Sequence, residues 1–229
     1  MSSPVRGIGG EALLIAGKDL RLEARSRVAA NHVLPFVLAV VLLFGFALDP
    51  DSGILRRATP GLFWVTVLFA AVLLVQRNFA IERQNGVSDA LRLSGLRPAG
   101  IFLGKVLSLV VQLLVVELLM AGCAVVFYDV RLRGPLLLLA TTAMATLAIA
   151  SAGAVYGPLA SGLQVRDTAL PLLLVPVLAP VLLCATRAFQ IALGEIAGGG
   201  WPWAGMLGIV AALYLTLGVV VWGPLMEET

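Results

Sequence analysis

Apolar residues recur along this chain in long, nearly uninterrupted blocks, and polar residues gather in the gaps between them. A helix that spans a bilayer needs about 20 apolar residues. Blocks of that order fall at 30–48, 59–76, 101–127, 135–160, 169–185 and 204–224. The second is short for one crossing and the third is long. The expectation is an all-α membrane protein with six transmembrane helices, a single transmembrane domain over 1–229. Thr59-Pro60 reads as a helix start, with Thr at the N-cap and Pro at N1, where a missing N–H costs nothing.

Two polar stretches carry patterns of their own. Over 11–27, Leu13, Ala16, Leu20 and Ala24 recur at i, i+3, i+7 and i+11, one face of a helix, with basic residues over much of the rest. This predicts an N-terminal interfacial helix on the inner leaflet; a partly ordered basic tail is the alternative. The loop 77–100 holds a turn signal at Asn85-Gly86. Ser88 follows as an N-cap, Asp89 stands in the first helical turn, and Ala90, Leu91, Arg92 and Leu93 continue until Gly95 and Pro98 stop the chain. A helix of about two turns is marginal alone. It needs a partner surface, either in this protein or on a cytoplasmic subunit.

Within the apolar blocks, Gly153, Gly157 and Ser161 form a small-xxx-small ladder that lets helix backbones approach closely. Pro171, Pro176 and Pro180 each remove a backbone bond, so the block 169–185 should face protein or a cavity. The stretch 186–203 is too polar to span. It is expected to form a short outer helix or re-entrant piece ending in the Gly198-Gly199-Gly200 hinge.

Composition supports the membrane reading. The chain is 60% hydrophobic and 13% charged, against about a quarter charged in ordinary globular domains. A soluble fold of this size could not hide so much apolar surface. No signal-peptide layout precedes residue 30, so the first block is expected to stay in the membrane. With six crossings, eleven of the 16 basic residues fall on the side of the N-terminus. Five fall on the other: Arg56, Arg57, Arg131, Arg133 and Arg187. The positive-inside rule then predicts a multi-pass inner-membrane protein with both termini in the cytoplasm.

Candidate chemistry is sparse. Gly17-Lys18 and Gly104-Lys105 lack the following Ser or Thr and the earlier Gly of a phosphate-cradling loop. The chain is therefore not expected to hydrolyse ATP or to be an enzyme. Cys123 and Cys184 lie in apolar blocks with no ligand-type neighbours, so no metal site is expected. His32 stands at the cytoplasmic entrance of the first block, where a polar interface residue is a simpler reading than a haem or metal ligand. Trp201 and Trp203 flank Pro202 at the outer edge of the last block. They read as an aromatic belt or as an outer stacking platform for a planar ligand.

Glu117 is the sharpest oddity, near the middle of the third block. A charge there costs ~2.5–3.5 kcal/mol on insertion scales, so a protonated or paired acid is expected. It is either an intramembrane functional acid that gates or relays protons, or a structural acid hydrogen-bonded between helices.

The run Ala58-Thr59-Pro60-Gly61-Leu62-Phe63-Trp64-Val65, followed by Arg77, Glu82, Gly86 and Ile101-Phe102-Leu103-Gly104-Lys105, resembles the CcmB family. These are the haem exporter B membrane subunits of the cytochrome c maturation system. Lys18-Asp19-Leu20-Arg21-Leu22-Glu23 with Arg25, and later Leu170-Pro171-Leu172, Val175-Pro176 and Ala185-Thr186, are also similar. The resemblance covers most of the chain in order and is weakest over 188–203.

It implies an ABC-2-type permease that pairs with a separate ABC ATPase subunit and acts with a haem-handling membrane subunit and a haem chaperone. A pair of membrane subunits is implied by the class, and no nucleic-acid partner. Haem is the possible cargo, the resemblance leaving open whether it crosses through this subunit, and no cofactor is assigned to the chain itself. The helix of Ser88, Asp89, Leu91, Arg92 and Leu93 would be the coupling contact with the ATPase. Trp201-Pro202-Trp203 has no flanking histidine, so axial ligation by imidazole is not expected there. Three alternatives stand: a permease for a lipid or drug, a non-transporting scaffold that transmits ATPase strokes, and a secondary transporter supported by Glu117 alone.

Overall fold

In lipid every backbone polar group must be satisfied within the protein, which confines such blocks to helices or closed barrels. The computed structural model describes residues 7–26, 33–48, 53–84, 95–128, 130, 132–162 and 166–228. Seven α-helices lie among them: α1 (Ile8–Ser26), α2 (Leu34–Ala47), α3 (Ile54–Gln84), α4 (Pro98–Phe127), α5 (Pro135–Gly162), α6 (Arg166–Ala192) and α7 (Trp201–Glu228). Five are long and apolar enough to cross a membrane, over Ile54–Glu82, Pro98–Phe127, Pro135–Leu159, Leu170–Ala192 and Trp201–Leu225. The chain is a multi-pass membrane protein. The remaining apolar helix, α2, has 14 residues, about 21 Å of rise.

Side-chain contacts assign the helix ends to two sides of the bundle. On one side, α1 docks on the start of α4, and Pro98 of α4 lies beside Gly223 of α7. The late residues of α3 and α5 meet there too, because a Cβ on Gly157 would fall onto the Phe79 ring. One α5 turn earlier, a Cβ on Gly153 would stand 2.7 Å from Val75. These two glycines give α5 its close approach to α3, as the ladder predicts. On the opposite side, the Tyr128 hydroxyl after α4 donates to the Val41 carbonyl of α2 at 2.7 Å. Arg56 at the start of α3 pairs with Glu195 after α6 at 2.9 Å, and the Gly134 N–H donates to the Ala192 carbonyl at 2.9 Å.

Three local expectations are corrected. First, α3 does not start at Thr59-Pro60. Gly53, at φ 70°, precedes a helix that begins at Ile54. Thr59 is already inside it, its hydroxyl donating to the Leu55 carbonyl at 2.9 Å, and Pro60 is an interior proline.

Second, 186–203 is neither a separate helix nor a re-entrant piece. The helix α6 runs on to Ala192 and ends where Gly194 adopts φ 78°. The Gly194 N–H donates to the Ile191 carbonyl and the Glu195 N–H to the Gln190 carbonyl. That pair of bonds is the Schellman termination, for which a left-handed glycine is the usual residue. A short loop then leads to Trp201.

Third, the buried face of α1 is Glu11, Ala12, Ile15 and Ala16, whereas Leu13 is 66% exposed. The stripe read from the sequence lies on the border of that face.

The prolines of α6 are interior to one continuous helix. Beside Pro176, the Val177 carbonyl accepts the Tyr214 hydroxyl of α7 at 2.7 Å, but Pro176 and Pro180 themselves are exposed, so only part of this stretch faces protein.

Candidate functional site

Two polar constellations interrupt the apolar packing. The first lies where α1, α3 and α4 meet. Arg97, the N-cap of α4, provides no side-chain cap. Glu11 of α1 supplies one from outside, its Oε2 accepting the Arg97 backbone N–H at 3.3 Å. A carboxylate there also opposes the positive end of the α4 dipole. Gly100 and Gly104 allow this docking. A Cβ at Gly100 would lie 2.6 Å from Glu11 Oε2, and one at Gly104 would lie 2.6 Å from Ile15 Cβ and 2.7 Å from the Ala12 carbonyl oxygen.

One turn further along α1, four charges close on one another. Lys105 of α4 bonds to Glu82 of α3 and lies 3.4 Å from Asp19 of α1. Lys18 lies 2.8 Å from Asp19 and 3.3 Å from Glu82. The Phe79 ring centroid stands 5.3 Å from the Lys105 ammonium, within cation–π range. Two cations and two anions cancel, which is how charges survive removal from water. Burial disfavours the Lys18 ammonium, but Asp19 and Glu82 outweigh that and hold it above the usual lysine value.

Sequence reasoning missed this quartet. Both Gly-Lys pairs, rejected as phosphate loops, prove to be helical segments whose lysines are taken up by carboxylates. Signal was present, since Lys105 falls inside the predicted block 101–127 and a cation there demands a partner.

The second constellation surrounds Glu117, which is 3% exposed. The Thr146 hydroxyl of α5 lies 2.6 and 2.8 Å from its two carboxyl oxygens, and 2.7 Å from the Thr142 carbonyl oxygen. One hydroxyl proton cannot serve three acceptors. The contacts are compatible when Thr146 donates to the Thr142 carbonyl and Glu117, as the neutral acid, donates to Thr146 through one carboxyl oxygen. Glu117 also stands at the inner end of an apolar cleft of about 380 Å³ between α3, α4, α5 and α6. Phe63 and Phe189 line it with ring centroids 5.1 Å apart. Leu118 and Leu139, on its outer edge, are 76% and 68% exposed.

The geometry yields a prediction for this acid. Glu117→Gln keeps a donor for Thr146 and is expected to shift stability by no more than ~1 kcal/mol. Glu117→Leu is expected to cost only about 1 kcal/mol, because Thr146 keeps its Thr142 partner. Thermal unfolding in detergent checks both. A Gln variant that is stable and expressed but fails to replace the unaltered chain in cells would make the acid functional rather than structural.

The other candidate residues are placed unevenly. Ser88, Asp89, Leu91, Arg92 and Leu93 lie outside the described residues, as does His32. The helix ends that bracket the segment 85–94, Gln84 and Pro98, belong to the α1 side of the bundle. Trp201 opens α7 and is 59% exposed, whereas Trp203 packs against the core. Two positions apart on a helix, the rings point in different directions. Cys123 and Cys184 are buried and free.

A bundle of apolar helices, docked by a polar N-terminal helix at one end and carrying one acid beside a lateral cleft, defines a polytopic membrane protein. The CcmB protein family matches residues 11–225, and the chain belongs to that family. It is 31% identical over 210 residues to heme exporter protein B of Paracoccus denitrificans, covering 90% of this chain and 92% of the other. It is 29% identical to heme exporter protein B of Haemophilus influenzae, covering 93% of each. Heme exporter protein B of Pseudomonas aeruginosa is 30% identical, over 89% of this chain and 91% of the other.

Proposed function

We propose that this chain is the membrane subunit of an ATP-binding-cassette complex that supports haem export for cytochrome c maturation. In this reading it couples ATP hydrolysis in a partner subunit to haem release or transfer outside the membrane. The observation that carries it is the family match over residues 11–225, with relatives named heme exporter protein B aligned along about nine-tenths of both chains. Haem is the cargo. The partners are an ATPase subunit, a haem-handling membrane subunit, a haem chaperone and a second copy of the membrane subunit.

The ABC-2-type arrangement of six crossings has support in the placement of α2. Its Val41 meets Tyr128 on the side of the bundle away from α1, so the chain between α1 and α3 leads from one side to the other. Both termini then lie together, and the eleven-to-five basic bias puts them in the cytoplasm of an inner-membrane protein.

The segment 85–94 is the coupling contact in this reading. Leu91 and Leu93 offer an apolar anchor, and Asp89 and Arg92 set its register. The tagged chain should bring down the ATPase subunit and the haem-handling subunit. Leu91→Glu leaves helix propensity nearly intact but puts a charge into the anchor. It should cut recovery of the ATPase subunit about tenfold or more, with membrane insertion preserved. If no ATPase subunit accompanies the unaltered chain, the complex is wrong. If Leu91→Glu leaves recovery and cytochrome c maturation unchanged, coupling lies elsewhere.

A further inference from the structure

The helix α1 has three surfaces, and only one is used by the bundle. Glu11, Ala12, Ile15 and Ala16 are buried against α4. Asp19 enters the charge quartet, and Glu23 lies beside Asn78 and Ile81 of α3. All the acids of α1 are thus turned inward. Successive helical positions are about 100° apart, so Leu14, Arg21 and Arg25 (i, i+7, i+11) form a single stripe on the outward side, with Lys18 at its border held by Asp19 and Glu82. Leu13, Gly17 and Ala24 run alongside it as an apolar edge. Leu13 is 66% and Leu14 46% exposed, and Arg21 and Arg25 are exposed as well. Neither arginine pairs with a carboxylate among the described residues.

The helix cannot roll to hide this side. Its opposite face is fixed by the Glu11–Arg97 bond, by the contacts at Gly100 and Gly104, and by the quartet. Gly17, with nothing near its missing Cβ, leaves a hollow on the outward side. The hollow continues as a groove lined by Leu13, Leu14, Arg21 and Arg25.

We propose that the outward side of α1 binds anionic phospholipid, with Arg21 and Arg25 on headgroup phosphates and the Leu13–Gly17–Ala24 edge at the acyl boundary. Charge and position select this occupant. Arg21 and Arg25 have no carboxylate partner among the described residues, their neighbour is apolar, and α1 lies at an end of helices that cross the bilayer, where headgroups are. Guanidinium forks match phosphate oxygens in pairs, and an apolar edge beside a basic face is the signature of a helix lying in the interface. The inference needs only that the bundle is in a membrane. It stands or falls independently of haem export.

The test uses the full chain extracted in mild detergent, with bound lipids quantified by mass spectrometry against the source membrane. Phosphatidylglycerol and cardiolipin should be enriched over phosphatidylethanolamine by at least about fivefold, the preference expected for a single cation near an anionic surface, and more with both arginines engaged. Arg21→Gln with Arg25→Gln should return the ratio to that of the membrane, and Arg21→Lys with Arg25→Lys should keep most of the enrichment. In the unaltered chain the enrichment should fall at about 1 M salt, where the Debye length is about 3 Å; this arm holds even if the Gln pair folds poorly. An unaltered chain whose lipids match the membrane overturns the proposal. So does a Gln pair that stays enriched, and if that pair instead loses a co-purifying subunit, the stripe serves an acidic protein surface.

Discussion

Lys105→Met is expected to lower the unfolding free energy of the chain by about 3 kcal/mol, at the lower end of the cost of breaking a buried ion pair. Methionine fills nearly the same volume and keeps the contact with Phe79, so packing is not what is lost. What remains is Glu82 and Asp19 sharing Lys18 alone, at 3.3 and 2.8 Å, a net negative charge in a site 7% exposed at Glu82 and 11% at Asp19. The shared Lys18 keeps the cost from going higher. Adding Glu82→Gln should recover most of the loss, because the pair Lys18–Asp19 is then balanced again. Chemical or thermal unfolding of the purified chain in detergent measures both steps. If the single substitution costs less than about 0.5 kcal/mol, or the second adds to the loss, the quartet is not the closed network described.

Gly104→Leu is expected to release α1 from the bundle. Leucine is the better helix former by up to about 1 kcal/mol, so by propensity alone the substitution should help α4. Packing decides the other way. The new Cβ would stand 2.7 Å from the Ala12 carbonyl oxygen, which is backbone and cannot rotate aside, and 2.6 Å from Ile15 Cβ. Overpacking of this kind costs ~1–3 kcal/mol, and moving α1 away is the only relief. That movement also opens the quartet. Limited trypsin digestion reads it directly, since α1 carries Lys18, Arg21 and Arg25. Cleavage within α1 should accelerate about tenfold or more, while α3 to α7 remain associated on gel filtration. Unchanged digestion would mean that α1 does not lie on α4 at this glycine.

The apolar blocks located α3 to α7, because burial in lipid leaves long uniform runs that need no tertiary information. The ends were less legible where polarity and helix termination part company. Residues 54–58 contain Arg56 and Arg57 and read as loop, yet Gly53 is the break and the helix starts directly after it. Thr186, Arg187 and Gln190 likewise read as a polar connection, although Gly194 ends α6. Of the polar candidates, Glu117 showed itself because a lone acid in an apolar run is conspicuous. The quartet did not, because its members are distant in sequence: 64 residues separate Lys18 from Glu82 and 86 separate Asp19 from Lys105. Charge counting for topology spends such residues one at a time, and only the packing of α1 on α4 shows that they cancel together. The buried face of α1 was hidden for the same reason. Glu11 and Asp19 are its key residues, and a search for apolar stripes passes over them.

Glu82 near the end of α3 and Lys105 in the second turn of α4 flank the segment 85–94 in the chain. Their bond closes the mouth of a bracket whose two arms are α3 and α4, and Asp19 and Lys18 bolt α1 across it. A force that reaches the end of α3 or the start of α4 then finds no soft joint between them. The arms cannot scissor without separating buried charges, so the load passes along both axes as a common displacement, with α1 carried along. At that end of the molecule the buried charges act as a stiffener, and compliance has to be sought further along the helices, past the last ion pair.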